Sequence, residues 1–198
     1  MASQKERFDV LVQRQAKADQ SDGMETVQLF LALAEEGYAP AQTKAACFLA
    51  ALGKPAEGRS MLEKACEQKD PRALTAMGAR YHSGCAEFKL EQSFDKAFSL
   101  YEQAAALGDS DAILNLGHCY SDGEGCERNY QKAAQCYRRL TFPGEEDKDA
   151  CFHLGCLCLQ GHLGNSDRLK AEGMVNIQEA ASRGHQGAIE LQKAFRGT

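Results

Sequence analysis

The feature that most constrains the fold of this 198-residue chain is a helical segment that recurs and usually ends at a glycine. Five copies align on their last residue: Gly37, Lys69, Gly108, Gly144 and Gly184. Seven residues before that end each copy carries a large apolar residue: Phe30, Leu62, Tyr101, Tyr137 and Ile177. Eleven residues before it each copy carries a small residue: Thr26, Gly58, Ala97, Ala133 and Gly173. The sequence therefore predicts five copies of one amphipathic helix.

A second helical pattern lies between these copies and starts at an alanine: Ala41, Ala73, Ala112, Ala150 and finally Ala188. Five residues after the first four of these alanines stand small residues: Ala46, Gly78, Gly117 and Gly155. Because glycine inside a helix costs about 1 kcal/mol, its recurrence on one face predicts that another helix crosses closely there. Four tyrosines at fixed repeat positions are interpreted as core residues: Tyr81, Tyr101, Tyr120 and Tyr137.

The composition agrees with a purely helical array. The chain has 30 Ala and 20 Leu but only 7 Val and Ile together, whereas strands draw on β-branched residues. Each helix pair buries its apolar face only against the next pair, which predicts a solenoid with a concave and a convex surface.

The repeats resemble those of the Sel1-like repeat family, whose core pattern is A-x3-L-G-x2-Y-x2-G-x-G, followed by D-x2-K-A and A-A-x2-G. The third full repeat matches at Ala112, Leu116, Gly117, Tyr120, Gly123, Gly125, Lys132 and Ala133. The resemblance spans about 24–188, although the first full repeat has a loop of only Gly53 to Ala56. It implies an all-α fold, a right-handed α-α solenoid of Sel1-like helix-turn-helix repeats.

Three segments are expected. Residues 1–22 form an N-terminal capping helix, over Glu6 to Asp19, and a connector; 23–187 form the array of about four repeats; 188–198 form a C-terminal capping helix.

The charge and the cysteine content limit the classes of partner and the compartments that are expected for this chain. The net charge of −5 and pI of about 5.6 provide no overall positive field for nucleic acid. No apolar stretch is long enough to cross a bilayer, and no export signal is found at the N-terminus, so a cytoplasmic location without membrane contact is expected. The nine cysteines are expected to be reduced thiols.

The densest group of reactive residues lies in the fourth repeat: Cys151, His153, Cys156, Cys158 and His162. These are zinc-ligand types, but on a helix Cys156 points well away from Cys151 and Cys158, so small packing residues are the preferred interpretation. Cys119 and Cys126 flank a loop and are a further redox candidate. No catalytic motif or cofactor fingerprint occurs, so no enzyme, cofactor or metal is expected.

A cysteine-rich branch of the family pairs two cysteines eight residues apart. Here Leu74 stands eight residues after Cys66, and Pro143 eight residues before Cys151. That bridge therefore cannot form, and the penicillin-related activity proposed for that branch does not carry over.

What remains is the concave surface. If the first helix of each pair lines it, the lining positions lie one before and two, three, six and nine after the leading alanine. The candidate partner-binding residues are Arg72, Thr75, His82, Asp111, Asn115, His118, Asp149, Phe152 and His153, with Cys156 and Leu159 continuing the fourth repeat. Such a surface suits an extended peptide or a helix of a partner protein, with Phe152 as anchor.

The predicted function is a non-catalytic adaptor or scaffold for protein–protein interaction. One alternative is an inhibitor or immunity-type partner of one enzyme. Another is a metal-binding or redox-regulated protein that uses the Cys/His group of the fourth repeat. The sequence leaves the oligomeric state open.

Overall fold

The computed structural model describes residues 2–17, 23–141 and 147–196, and these form eleven α-helices. The helices are α1 (Gln4–Lys17), α2 (Gly23–Glu35), α3 (Ala39–Ala51), α4 (Pro55–Glu67), α5 (Pro71–Ser83), α6 (Phe94–Ala106), α7 (Ser110–Asp122), α8 (Tyr130–Arg138), α9 (Lys148–Leu159), α10 (Asp167–Ser182) and α11 (Gln186–Arg196). No described helix has the length and apolar character needed to span a bilayer.

The helices pack as pairs in chain order. Each first helix contacts the second helix that follows it, as in α3 with α4, α5 with α6, α7 with α8, and α9 with α10. Two compact units result, residues 1–109 and 110–198, which we call unit 1 and unit 2. The predicted fold class, an all-α solenoid of helix pairs, is confirmed.

The small residues of the first helices lie where a second helix crosses. A Cβ added at Gly78 would lie 2.7 Å from Cε1 of Tyr101, and one added at Gly117 would lie 2.5 Å from Cε1 of Tyr137. In α9 the same position, Gly155, faces Ile177 at 2.7 Å. The large residue of each second helix therefore fills the space that glycine leaves, as the repeat pattern predicts.

The four repeat tyrosines divide into two kinds. Tyr101 and Tyr137, on the second helices, are buried as predicted, with 2% and 1% of their surface exposed. Tyr81 and Tyr120, on the first helices, are only half-buried, and lysines lie over their rings at 5.0 and 5.1 Å. The interpretation of Tyr81 and Tyr120 as core residues is therefore wrong in the degree of burial, since both rings lie only partly inside the core.

The second helices end as their glycines predict. Gly37, Gly108 and Gly184 have φ values of 91°, 87° and 83°, and Lys69 adopts the same conformation at 58°. This conformation lets two backbone N–H groups after the helix bond back to its last carbonyls, for example Gly108 N to Ala105 O at 3.2 Å. The fourth copy differs, because α8 ends at Arg138, before the predicted end, and Gly144 lies outside the described residues.

In α5, α9 and α11 the residue three before the leading alanine caps the helix. In α5 the carboxylate of Asp70 accepts the N–H of Ala73 at 2.8 Å, and in α9 that of Asp147 accepts the N–H of Ala150 at 2.8 Å. At α11 a histidine holds this place, and Nδ1 of His185 accepts the N–H of Ala188 at 3.1 Å.

The predicted N-terminal helix is present and begins two residues earlier than predicted, at Gln4, while its predicted end, Asp19, lies outside the described residues. Its Phe8 and Leu11 are buried against α2, whereas Val12 is 37% exposed.

Candidate functional site

Three rings meet between the helices of unit 2. His118 of α7 and His153 of α9 lie 4.5 Å apart between ring centroids, edge to face. The ring of Tyr137, from α8, lies 5.6 Å from His153 and nearly parallel to it. Burial, followed by the neighbouring imidazoles of His118 and His185, lowers the pKa of His153 to about 4, so this imidazole is neutral at pH 7.

The ring cluster continues toward the chain end through Phe152. Its ring stacks on that of His185, with centroids 4.1 Å apart and 19° between the planes. Nε2 of His185 lies 3.5 Å from Oδ1 of Asp149, while Nδ1 caps α11. Because Nδ1 accepts a hydrogen bond, the neutral ring carries its proton on Nε2, facing the carboxylate. Asp149 and the backbone of α11 thereby position the ring on which Phe152 stacks.

Beside Phe152 an apolar groove of about 540 Å³ opens between α9 and α11. It is lined by Phe152, Cys156, Leu159, Gln160, Gly187, Glu190, Leu191, Ala194 and Phe195. Its volume and its mostly apolar lining are typical of binding sites.

The structure brings together four of the predicted residues in unit 2: His118, Asp149, Phe152 and His153. It also places Phe152, Cys156 and Leu159 along one wall of the groove. Asp111 and Asn115 lie on α7, exposed and half-buried respectively, outside the groove lining.

The predicted residues of unit 1 have different surroundings. Arg72 is exposed, and His82 is half-buried with its ring 5.2 Å from that of Phe94. Thr75 is only 8% exposed, and its hydroxyl donates to Oδ1 of Asp109 at 2.8 Å. The side chain of Thr75 is therefore part of the internal packing and is not available to a partner.

Sequence reasoning missed the second wall of the groove. That wall is α11, through Gly187, Glu190, Leu191 and Ala194. These residues stand one before and two, three and six after Ala188, the last leading alanine. The register used for the other repeats would have found them had it been extended to this helix.

The cysteines behave mainly as packing residues. Cys151 and Cys158 are 1% and 0% exposed, and Cys156 lines the groove. Burial raises the pKa of Cys119 to about 12 and raises that of Cys156, which disfavours the reactive thiolate. Within residues 2–17, 23–141 and 147–196, no three His, Cys, Asp or Glu side chains are placed to bind one metal ion.

Comparison with known protein families matches the Sel1 repeat at 43–70, 71–109, 110–140 and 148–185. The chain belongs to the Sel1 repeat family. Proteins with these repeats generally act as scaffolds for protein interaction, and the fold is typically a non-enzymatic module.

The chain is also similar to parts of longer named proteins. An F-box protein of Arabidopsis thaliana is 29% identical over 128 residues, 65% of this chain and 37% of the relative. DAP3-binding cell death enhancer 1 of Rattus norvegicus is 39% identical over 51 residues, 26% of this chain and 10% of the relative. The chain thus spans little more than a third of these relatives at most.

The structure of a Sel1 repeat protein from Oxalobacter formigenes matches with a TM-score of 0.76. The match covers 94% of this chain and 75% of that one at 22% identity, which establishes the shared fold.

Proposed function

We propose that this chain is a non-catalytic interaction scaffold that binds a segment of a partner protein in the groove between α9 and α11. One observation carries the proposal. Three positions picked by repeat register alone, Phe152, Cys156 and Leu159, form a continuous wall of an open groove of about 540 Å³. A large aromatic side chain in an apolar groove is the type of residue that anchors protein partners.

Two further facts support a role in binding. The rat relative is named for binding another protein, DAP3. All nine cysteines of this chain lie in described segments without a disulfide, which favours a reducing compartment such as the cytoplasm, where partner proteins are abundant.

We also propose that α11 caps the array. Lys193 stands five residues after Ala188, where the other first helices carry alanine or glycine, and it is exposed. A long charged side chain at this position prevents a second helix from crossing α11 as closely as Tyr101 crosses Gly78. The helix therefore completes the groove wall without a second helix of the repeat type packed on it.

The test is affinity purification from the native cell, with proteins identified by mass spectrometry, for the wild type and two aspartate variants. Phe152→Asp introduces a charge into the groove. Val175→Asp makes the same change on α10, where the side chain is 65% exposed and outside the groove. The proposal expects one or more proteins to be recovered with the wild type and Val175→Asp but lost with Phe152→Asp.

Circular dichroism of both variants checks that the helices persist. Equal recovery of the same proteins by both folded variants would place the binding site elsewhere. If Phe152→Asp unfolds, Leu191→Asp, on the other wall of the groove, replaces it in the comparison.

A further inference from the structure

We infer that the occupant of the groove between α9 and α11 is an amphipathic α-helix of the partner, with a Lys or Arg placed opposite Glu190. The inference rests on the proposed function and goes further, since a scaffold of this kind could equally bind an extended peptide. The spacing of both walls, their hydrogen-bonding capacity and the charge of the lining distinguish the two.

The two walls have the same helical spacing. Phe152, Cys156 and Leu159 on α9 stand at i, i+4 and i+7, and Gly187, Leu191 and Ala194 on α11 repeat those intervals. At 1.5 Å per residue each stripe is about 10.5 Å long, or two turns. A partner helix presents its apolar side chains at these same intervals, so its ridge fits between the two stripes.

The two walls also differ in side-chain size. The α9 wall carries a phenyl ring, a thiol and an isobutyl group, whereas Gly187 and Ala194 leave the α11 wall low. A Cβ added at Gly187 would lie 3.2 Å from Cζ of Phe152, so the ring lies close over this part of α11. Large apolar residues of the partner are therefore expected to face Leu191 and Ala194.

The hydrogen-bonding capacity of the groove disfavours an extended occupant. Among the nine lining residues only Gln160 and Glu190 have side chains that bond a peptide backbone strongly, and the thiol of Cys156 is a weak donor and acceptor. Eight of the nine lining residues lie in α9 or α11, whose backbone groups bond mainly within the helix, and Gln160 follows α9 directly. An extended segment would bury N–H and C=O groups without partners, whereas a helix satisfies its own backbone.

The charge of the lining sets the polarity of the partner. Glu190 is the one charged residue among the nine, and it is exposed. Nε2 of Gln186 donates to Oε1 of Glu190 at 3.2 Å, which holds the carboxylate along α11. A cation on the flank of the bound helix complements this anion, and such pairing selects orientation and partner.

Phe152 is already ordered for binding. Its ring is stacked on His185, which Asp149 and the first turn of α11 hold in turn. An anchor that is ordered before binding loses little side-chain entropy when the partner arrives. His185 is thus a positioning residue for the anchor.

The experiment selects binders to the full chain from two displayed pools of 14-residue peptides. In the first pool Leu, Ile, Met and Phe vary at i, i+4 and i+7 within a helix-forming background, with every flanking position open to Lys, Glu or Gln. In the second pool the same apolar residues alternate with Thr and Val, which favour an extended chain. Selected peptides are made and their affinities measured by fluorescence anisotropy.

We expect enrichment from the first pool, with Lys at one flanking position. Binding should weaken at least tenfold with Phe152→Asp or Leu191→Asp and remain unchanged with Val175→Asp. The Glu190→Lys variant should bind the lysine peptide at least fivefold more weakly than the wild type does. It should bind the peptide in which that Lys is replaced by Glu more tightly than the lysine peptide. A proline at the centre of the peptide should abolish binding, because it breaks the helix.

Enrichment only from the second pool, or none from the helical pool, overturns the helical occupant. The helical occupant is also overturned if the selected helical peptides bind Phe152→Asp and Leu191→Asp with the same affinity as the wild type. The proposed function is judged separately by native recovery: if native partners are lost with Phe152→Asp while the helical pool fails, the scaffold stands and the helical occupant is wrong.

Discussion

Units 1 and 2 use one repeat position in opposite ways. The position two residues after the leading alanine is Thr43 and Thr75 in unit 1 and Phe152 in α9 of unit 2. In unit 1 each threonine hydroxyl donates to the aspartate that precedes the next first helix, Thr43 to Asp70 at 2.9 Å and Thr75 to Asp109 at 2.8 Å. In unit 2 the equivalent pair is Phe152 stacked on His185.

The same repeat position carries a polar bond in unit 1 and an aromatic stack in α9 of unit 2. A threonine–aspartate bond is short and polar, and the bond from Thr43 to Asp70 ties α3 directly to the cap of α5. The phenyl–imidazole stack makes the same connection through two flat rings, and an apolar groove lies beside it. The chemistry at one register position can therefore differ while the helix pairs stay the same.

The largest expected effect tests what the two units share. Replacing Tyr101 or Tyr137 by Ala should each lower the free energy of unfolding by about 3–5 kcal/mol, because each ring fills the space over a glycine. Urea unfolding followed by circular dichroism measures this. Tyr130→Ala, at a half-buried position in the first turn of α8, should cost less than about 1.5 kcal/mol. If Tyr130→Ala loses as much unfolding free energy as Tyr101→Ala and Tyr137→Ala, the glycine–tyrosine contact contributes no more than an ordinary tyrosine contact.

The next effect tests the polar link of unit 1. Asp70→Ala removes both the cap of α5 and the acceptor of Thr43, and should cost about 2 kcal/mol in unfolding free energy. Asp147→Ala in unit 2 removes a cap only and should cost about 1 kcal/mol.

A double-mutant cycle isolates that link. Thr43→Val should cost about 1 kcal/mol in the wild type and almost nothing when Asp70 is already Ala. Additive losses in the cycle would mean that the threonine–aspartate bond contributes nothing of its own.

The third effect concerns pH and belongs to unit 2. Because the folded pKa of His153 is about 4, below the usual value near 6.5, the unfolded chain binds more protons between these values. Stability should therefore be complete above pH 6.5 and fall as the pH drops toward 4. For this half-buried group we expect a loss of about 1 kcal/mol, since solvent screens part of the effect.

Two substitutions identify the group responsible. His153→Gln should flatten the stability curve between pH 4 and 6.5, whereas His162→Gln, at an exposed position, should leave it unchanged. Urea midpoints measured across that range decide the matter. An unchanged slope in His153→Gln would assign the pH dependence to another residue.

The smallest expected effect on stability comes from exchanging the two kinds of link. The double variant Phe152→Thr with His185→Asp places the unit 1 pair in unit 2 and gives α11 an aspartate cap. Its unfolding free energy should stay within about 1 kcal/mol of the wild type, while peptides selected on the groove lose at least tenfold in affinity. Retained peptide binding would show that Phe152 is not the anchor.

Much of the fold could be predicted because equivalent positions of the repeats carry residues of similar size. Small residues at Gly78, Gly117 and Gly155 predict close helix crossings, and terminal glycines predict where second helices end. The half-burial of Tyr81 and Tyr120 was not predictable from register, because their shared position does not show which helix covers them. Nor did sequence show that Phe88, in the loop after α5, is 2% exposed, with its carbonyl accepting from Arg59 at 2.8 Å.

By itself the sequence determined the helix pairs, their order and the face on which Phe152, Cys156 and Leu159 lie. Spacing along the chain fixes direction around a helix, and this is enough to name a face. Only the tertiary structure decided which part of that face stays open, because side chains from neighbouring helices determine whether the space over the face is occupied. Between α7 and α9 the rings of His118 and His153 meet at 4.5 Å, whereas between α9 and α11 small residues leave a groove.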